Sequence, residues 1–277
     1  MASFKELFAP KDLTQGTPWK RIVEFAIPML IGNIAQQFYN TADSIIVGRY
    51  VGDNALAAVG SASPVLNLLL VLFVGISVGA GIMVSQYFGA KDREKLSRTI
   101  GICITLTAIS SVIIMIIGPI VTRPLLTLLN TPSSIIDWCT NYLIIYFIGI
   151  AGLAYYNILA GILRGLGDSL SALIFLLIST ALNVGLDILF VASFNMGVPG
   201  VALATVIAQT ISAILCALKL IGMKENFDLN LKMLKPDKEY TYKLIKLGLP
   251  SGLTQAIFSL AMIVVQSLTN SFGEMVI

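Results

Sequence analysis

Two carboxylates, Asp43 and Asp187, lie well within apolar stretches of the chain, whereas the other Asp and Glu residues fall in loops or at helix ends. An ionisable group at membrane depth costs a few kcal/mol on insertion scales, so it marks function by default. Each acid continues a polar stripe. Asn33, Gln36, Asn40 and Asp43 recur at steps of three, four and three, which sets them on one face of a helix. Asn183 precedes Asp187 by four residues, one turn below it on a shared face. Tyr142, Tyr146, Asn157, Thr205 and Gln209 sit in neighbouring apolar runs. Together these side chains would line a cavity that is polar, aromatic and net negative. The alternative is packing: Asn, Gln, Ser and Thr also hydrogen-bond between membrane helices with no further role. For Gln36, Gln37, Thr205 or Gln209 taken alone, that is the simpler reading. For Asp43, it is a place at the outer water interface.

Other chemistries lack their parts. The chain has no histidine, so proton handling would rest on carboxylates. Cys103, Cys139 and Cys216 lie in or beside apolar segments with no CxxC spacing, and read as small buried residues. There is no GxxxxGK[ST] stretch for ATP, and no grouping of nucleophile, base and orienting residue, so the chain does not read as an enzyme. No cofactor is expected. No Lys or Arg is placed well inside the first six spans, which weighs against an anionic ligand.

The elements that position the acids must be membrane helices. Apolar residues make up 56% of the chain and charged residues 12%, against about 25% charged in a soluble domain. A span needs about 20 mostly apolar residues. Such stretches fall at 22–47, 56–87, 99–121, 138–163, 170–191, 198–220 and 244–270. Of the eighteen Lys and Arg residues, all but Arg49 and Arg123 fall on the side of the N-terminus, which places that end in the cytoplasm. Arg164 is counted there as a loop cation, and the run Lys91–Lys95 reads as a solvated loop. Gly75–Gly79 and Gly161–Gly165 have the GxxxG spacing of close helix packing.

The beginning of the chain returns near its end. Arg21 to Leu30 and Lys243 to Gly252 align through Pro28 and Pro250, and the correspondence runs on to Gly52-Asp53 and Gly273-Glu274. Six helices separate the two starts, so the repeats run parallel, as in transporters that rock one repeat against the other. The fold class expected is an all-α membrane protein: a six-helix lobe plus a seventh helix that starts a parallel repeat. The division is 1–21, a cytoplasmic segment; 22–220, the N-lobe; 221–243, a cytoplasmic linker; and 244–277, the first helix of a truncated second lobe. That helix is expected to touch the first six less than they touch one another, on a linker free to hinge.

These residues carry a family resemblance. The run from Phe25 to Gly52, together with Ala57–Ser61, Gln86–Asp92, Leu163–Asp168, Leu182–Asp187 and Gly197–Thr205, resembles the multidrug and toxic compound extrusion (MATE) transporters over essentially the whole chain. The resemblance implies two six-helix lobes around a cleft, exporting organic cations or drugs across the cytoplasmic membrane in exchange for protons or sodium. It implies a coupling and substrate site at Asp43, Asp187, Asn183, Asn157, Tyr142 and Thr205, to which the polar stripe adds Asn40 and Gln36, with Na+ held at Asp43, Asp187 and Asn183. Some branches carry a glutamate early in the seventh helix; here Gln255 to Ala261 holds no acid. Partners expected are small organic cations, the lipid bilayer and a C-terminal lobe, and no nucleic acid. Two other functions stay open: a lipid-linked saccharide flippase of the same superfamily, for which Asp43 and Asp187 have the wrong sign, and a membrane interaction subunit that does not transport.

Overall fold

The computed structural model describes residues 16–271 other than 224, 229 and 231. Most of the 1–21 segment, the last residues of 244–277 and the Gly273-Glu274 half of the repeat therefore lie outside the described residues. What is described is helical: α1 (Pro18–Tyr50), α2 (Asp53–Gly89), α3 (Arg93–Leu128), α4 (Ile136–Ile148), α5 (Ile150–Gly165), α6 (Ser169–Asp187) with a π-helical turn over Ile188–Ser193, α7 (Val198–Ile221) and α8 (Lys238–Ser271). Without water to satisfy amides in a bilayer, helices that close their own backbone hydrogen bonds are the form such apolar segments can take. Asp92 caps α3 by accepting from the Lys95 backbone N–H at 3.1 Å. Asp168 caps α6, accepting from the Ser171 backbone N–H at 3.0 Å and its hydroxyl at 2.7 Å.

By length and apolarity α3, α6 with its π turn, α7 and α8 can each cross a membrane, and the bent α2 and the α4–α5 pair bring the total to six. Two expectations change here. The span read as 138–163 is broken at Gly149, where α4 and α5 meet at 54°. The break lies where α7 crowds it: a Cβ on Gly149 would meet the Val206 side chain, and one on Gly152 would meet Thr210. The first helix is not among those apolar enough, because Asn33, Gln36, Gln37, Asn40, Thr41 and Asp43 lower its hydropathy.

Helix α2 is the hub, packing against α3, α4, α5 and α8, while α1 lies chiefly on α6, and α7 on α5 and α6. The two GxxxG runs are contact points. Gly161 and Gly165 of α5 face Ser77, Gly81 and Val84 of α2, where a Cβ on Gly165 would lie 2.8 Å from the Gly81 carbonyl oxygen. Gly75 and Gly79 of α2 meet Gly248 and Gly252 of α8, where a Cβ on Gly248 would strike the Gly75 carbonyl oxygen. Such contact lets backbones approach without side chains between them.

The seventh-helix expectation fails in one respect. Far from standing apart, α8 lies along α2 in the most extensive helix pairing of the structure. Its far end is tied as well, Asn270 donating from Nδ2 to the Leu129 carbonyl at 3.2 Å and accepting from the Ser61 hydroxyl at 3.3 Å. Its opposite side, including Leu253, Ile257, Phe258 and Val264, is exposed. The segment before α8 is strapped to α3. Arg93 grips Asp228 with two hydrogen bonds of 2.9 and 3.0 Å, Arg98 donates to the Lys232 carbonyl at 2.9 Å and to Asp237 at 3.2 Å, and Thr105 donates to the Leu234 carbonyl at 2.7 Å. Gly101 leaves room for the Met233 backbone, and Phe227 is buried against α3. The charged run after Lys91 is thus partly a docking surface, which a solvated loop would not be.

Candidate functional site

Pairing of α1 with α6 brings Asp43 to Asn183 and Asp187, and pairing of α6 with α7 adds Thr205. All four are buried, Asn183 and Asp187 completely. Asn183 is the joint. With its amide nitrogen turned to the acids it donates to Asp43 Oδ1 at 2.7 Å and to Asp187 Oδ2 at 3.3 Å, while its oxygen accepts from Thr205 Oγ1 at 3.2 Å. The reverse orientation would set an amide oxygen against two carboxylates, which offer only acceptors when ionised. The two carboxyl groups are themselves within hydrogen-bonding reach of each other. Asp187 Oδ1 is buried with no hydrogen-bond partner among the described residues, so an acceptor in this cluster remains available.

Aromatic side chains close the cluster. Tyr146 lies within electrostatic reach of both acids and Tyr142 of Asp43, and the two rings stand 4.9 Å apart. Tyr39 is buried close enough to Asp43 and Asp187 to feel both charges, with its hydroxyl near Thr205. Its place was readable, one turn before Asp43 at a spacing of four, but a tyrosine on an apolar helix looks like any core aromatic. The π-helical turn that begins directly after Asp187 had no sequence signal; such turns occur frequently at functional sites.

Not every expected residue joins the acids. Gln36 and Asn157 line a different cavity of roughly 230 Å³, with Asn33, Tyr156, Arg164 and Ser169 among its walls. Asn157 also donates to the Leu153 carbonyl at 2.8 Å within its own helix. Asn40 is exposed and donates to Gln37 at 3.4 Å. The polar stripe of α1 therefore divides: Gln36 faces one cavity, Asp43 enters the acid cluster, and Asn40 faces outward. Gln209 is buried, and its amide oxygen has no partner among the described residues. Among the described residues no group of three or more His, Cys, Asp or Glu gathers as a metal site.

The family profile MatE matches residues 28–189. The chain is 32% identical over 282 residues to the probable multidrug resistance protein YoeA of Bacillus subtilis, covering 99% of this chain and 61% of that protein. The fold is similar to the outward-facing conformation of a multidrug resistance MATE family transporter of the MOP superfamily, with a TM-score of 0.86 and 30% identity over 95% of this chain and 58% of that one. It is also similar to a MOP superfamily transporter from Pyrococcus furiosus whose reversed binding-pocket polarity suggests a different function, with a TM-score of 0.84 and 30% identity over 91% of this chain and 56% of that one. The chain thus spans roughly three fifths of the length of the relatives it matches.

Proposed function

This chain belongs to the MATE transporter family, and on that premise we propose that it forms the N-terminal lobe, with the first helix of a second, of a cation-coupled multidrug efflux antiporter. The observation that carries the proposal is the buried trio of Asp43, Asn183 and Asp187. Like charges in contact in a low-dielectric site cannot both stay bare, so two carboxyl groups this close take up a proton or a small cation between them. Burial far from bulk solvent turns that uptake into a device: when the ion enters or leaves, the helices bearing the acids gain or lose the force that holds them together. One acid stands on α1 and the other on α6, so the ion would act across the α1–α6 contact.

Proton and sodium make different demands on the trio. A proton needs only the two carboxyl groups. A sodium ion at Asp43, Asp187 and Asn183 would use oxygen ligands, and Asn183 would have to turn its amide over to offer its own. Substrates on this reading are organic cations, attracted by the negative sign of the cluster, and the protein works in the cytoplasmic membrane with its N-terminus in the cytoplasm.

The test is ethidium efflux by the full-length gene product, with Asp43→Asn and Asp187→Asn compared at equal membrane abundance. Loss of efflux in both is expected. Wild-type rates in both would sink the coupling-site reading, and efflux from proteoliposomes driven by a pH gradient or by a sodium gradient identifies the coupling ion.

A further inference from the structure

The cavity lined by Gln36 and Asn157 differs in sign from the acid cluster. Arg164, counted from sequence as a cytoplasmic loop cation, lies in the last turn of α5 and forms part of its wall. Its guanidinium makes no hydrogen bond or ion pair with any described residue, and no acidic side chain lines the cavity. The acid nearest in sequence, Asp168, is buried and engaged elsewhere: it caps α6 and pairs with Lys219 at 3.6 Å. The remaining polar walls are Asn33, Gln36, Tyr156, Asn157 and Ser169. Asn and Gln amides and Ser and Tyr hydroxyls can all donate hydrogen bonds. A guanidinium presents a planar fork that matches a phosphate or carboxylate with two parallel bonds. A cavity of roughly 230 Å³ beside the guanidinium has room for a group of that size.

We propose that this cavity is an anion-binding site that takes a phosphate or carboxylate group on Arg164, with Asn33, Gln36 and Ser169 as further donors. It is separate from the Asp43–Asp187 cluster, and it stands or falls independently of cation export. Two sources share the required chemistry, the headgroup of an anionic lipid and a free oxyanion.

The test uses the purified full chain. Retention of phosphatidylglycerol against phosphatidylcholine is measured by native mass spectrometry, and thermal stabilisation by inorganic phosphate is measured alongside. Wild-type protein is expected to prefer the anionic lipid or to be stabilised by phosphate. Arg164→Gln should weaken whichever effect is seen by on the order of ten-fold or more, the magnitude of a lost charge-assisted hydrogen bond. Arg164→Lys should retain part of it. Asn33→Asp places a carboxylate in the wall of the same cavity and should abolish binding while keeping the arginine, which leaves the test decisive even if Arg164→Gln fails to fold. Lipid selectivity lost in the variants identifies a headgroup site, and phosphate stabilisation lost with lipid retention unchanged identifies a soluble anion. Equal lipid retention and equal response to phosphate in wild type, Arg164→Lys and Asn33→Asp would overturn the proposal.

Discussion

Replacing Asn183 by leucine tests whether the acid cluster is held together as the geometry implies. Leucine keeps the branching and heavy-atom count of asparagine and removes every polar atom, so the bonds of 2.7 and 3.3 Å to Asp43 and Asp187 and the 3.2 Å bond from Thr205 all vanish. Hydrogen bonds to charged groups contribute roughly 1.5–3 kcal/mol, whereas interhelical polar pairs in membranes average nearer ~0.6 and reach ~1.7. With two donor bonds converging on one amide, Asn183→Leu is expected to destabilise by about 1–3 kcal/mol. The sharper quantity is the coupling. In an Asp43→Asn background the new amide at 43 donates to Asp187 itself, so the further loss from Asn183→Leu should shrink by at least ~0.5 kcal/mol relative to wild type. Thermal unfolding of the four proteins in one detergent completes the cycle. Strict additivity, or an Asn183→Leu protein as stable as wild type, would refute the claim that Asn183 bridges the two acids.

Gly248→Ala should lower the stability of the α2–α8 contact by roughly 1–3 kcal/mol, the usual cost of overpacking, because the new methyl strikes the Gly75 carbonyl. Gly60→Ala, with nothing within 4 Å, is the control and should be neutral or slightly stabilising in the same melt. After replacement of the three native cysteines, a cysteine at Lys91 should resist membrane-impermeant thiol reagents in intact cells and one at Asn195 should react; the reverse pattern would invert the topology. The strap before α8 should loosen in acid. Hydrogen bonds from Arg93 hold the Asp228 carboxyl below its ordinary 3.8, and the backbone N–H of Tyr240, followed by Arg98, does the same for Asp237. Their contribution is present above the ordinary value and lost as pH falls through the depressed one, so pepsin cleavage of this segment should rise as the pH drops below about 4, and in Arg93→Gln cleavage should already be higher above pH 4 and rise less on acidification.

The two acids, the stripe leading to Asp43 and the Asn183–Asp187 step were legible because helical spacing converts sequence intervals directly into shared faces. Spacing alone does not say which neighbour a face meets, and that decided where Gln36, Asn40 and Asn157 went. The break at Gly149 was hidden for the same reason: it sits against Val206, a residue of a later helix, and a glycine in an apolar run is otherwise ordinary. Arg164 was misplaced because a basic residue before Gly165 and Gly167 looks like a loop, whereas it belongs to the last helical turn. The strap was misread because Arg93, Arg98, Asp228 and Asp237 have the composition of solvated loops, and only the fold brings the two charge sets together. The reading of Gly75–Gly79 was sound but lacked its partner, the second glycine pair at Gly248 and Gly252.

The attachment of α8 has a consequence for the covalent chain. The helix is held by charge and carbonyl contacts where it begins, by bare backbone against backbone in the middle and by the Asn270 amide near its end. Three dissimilar fasteners spread over its length make the peptide link to α7 redundant for keeping it in place. A nick in the connecting segment should therefore leave α8 bound to α2, and the two pieces, synthesised separately in the same membrane, should recombine. In this respect α8 behaves as a docked subunit that happens to share a polypeptide with the helices it leans on.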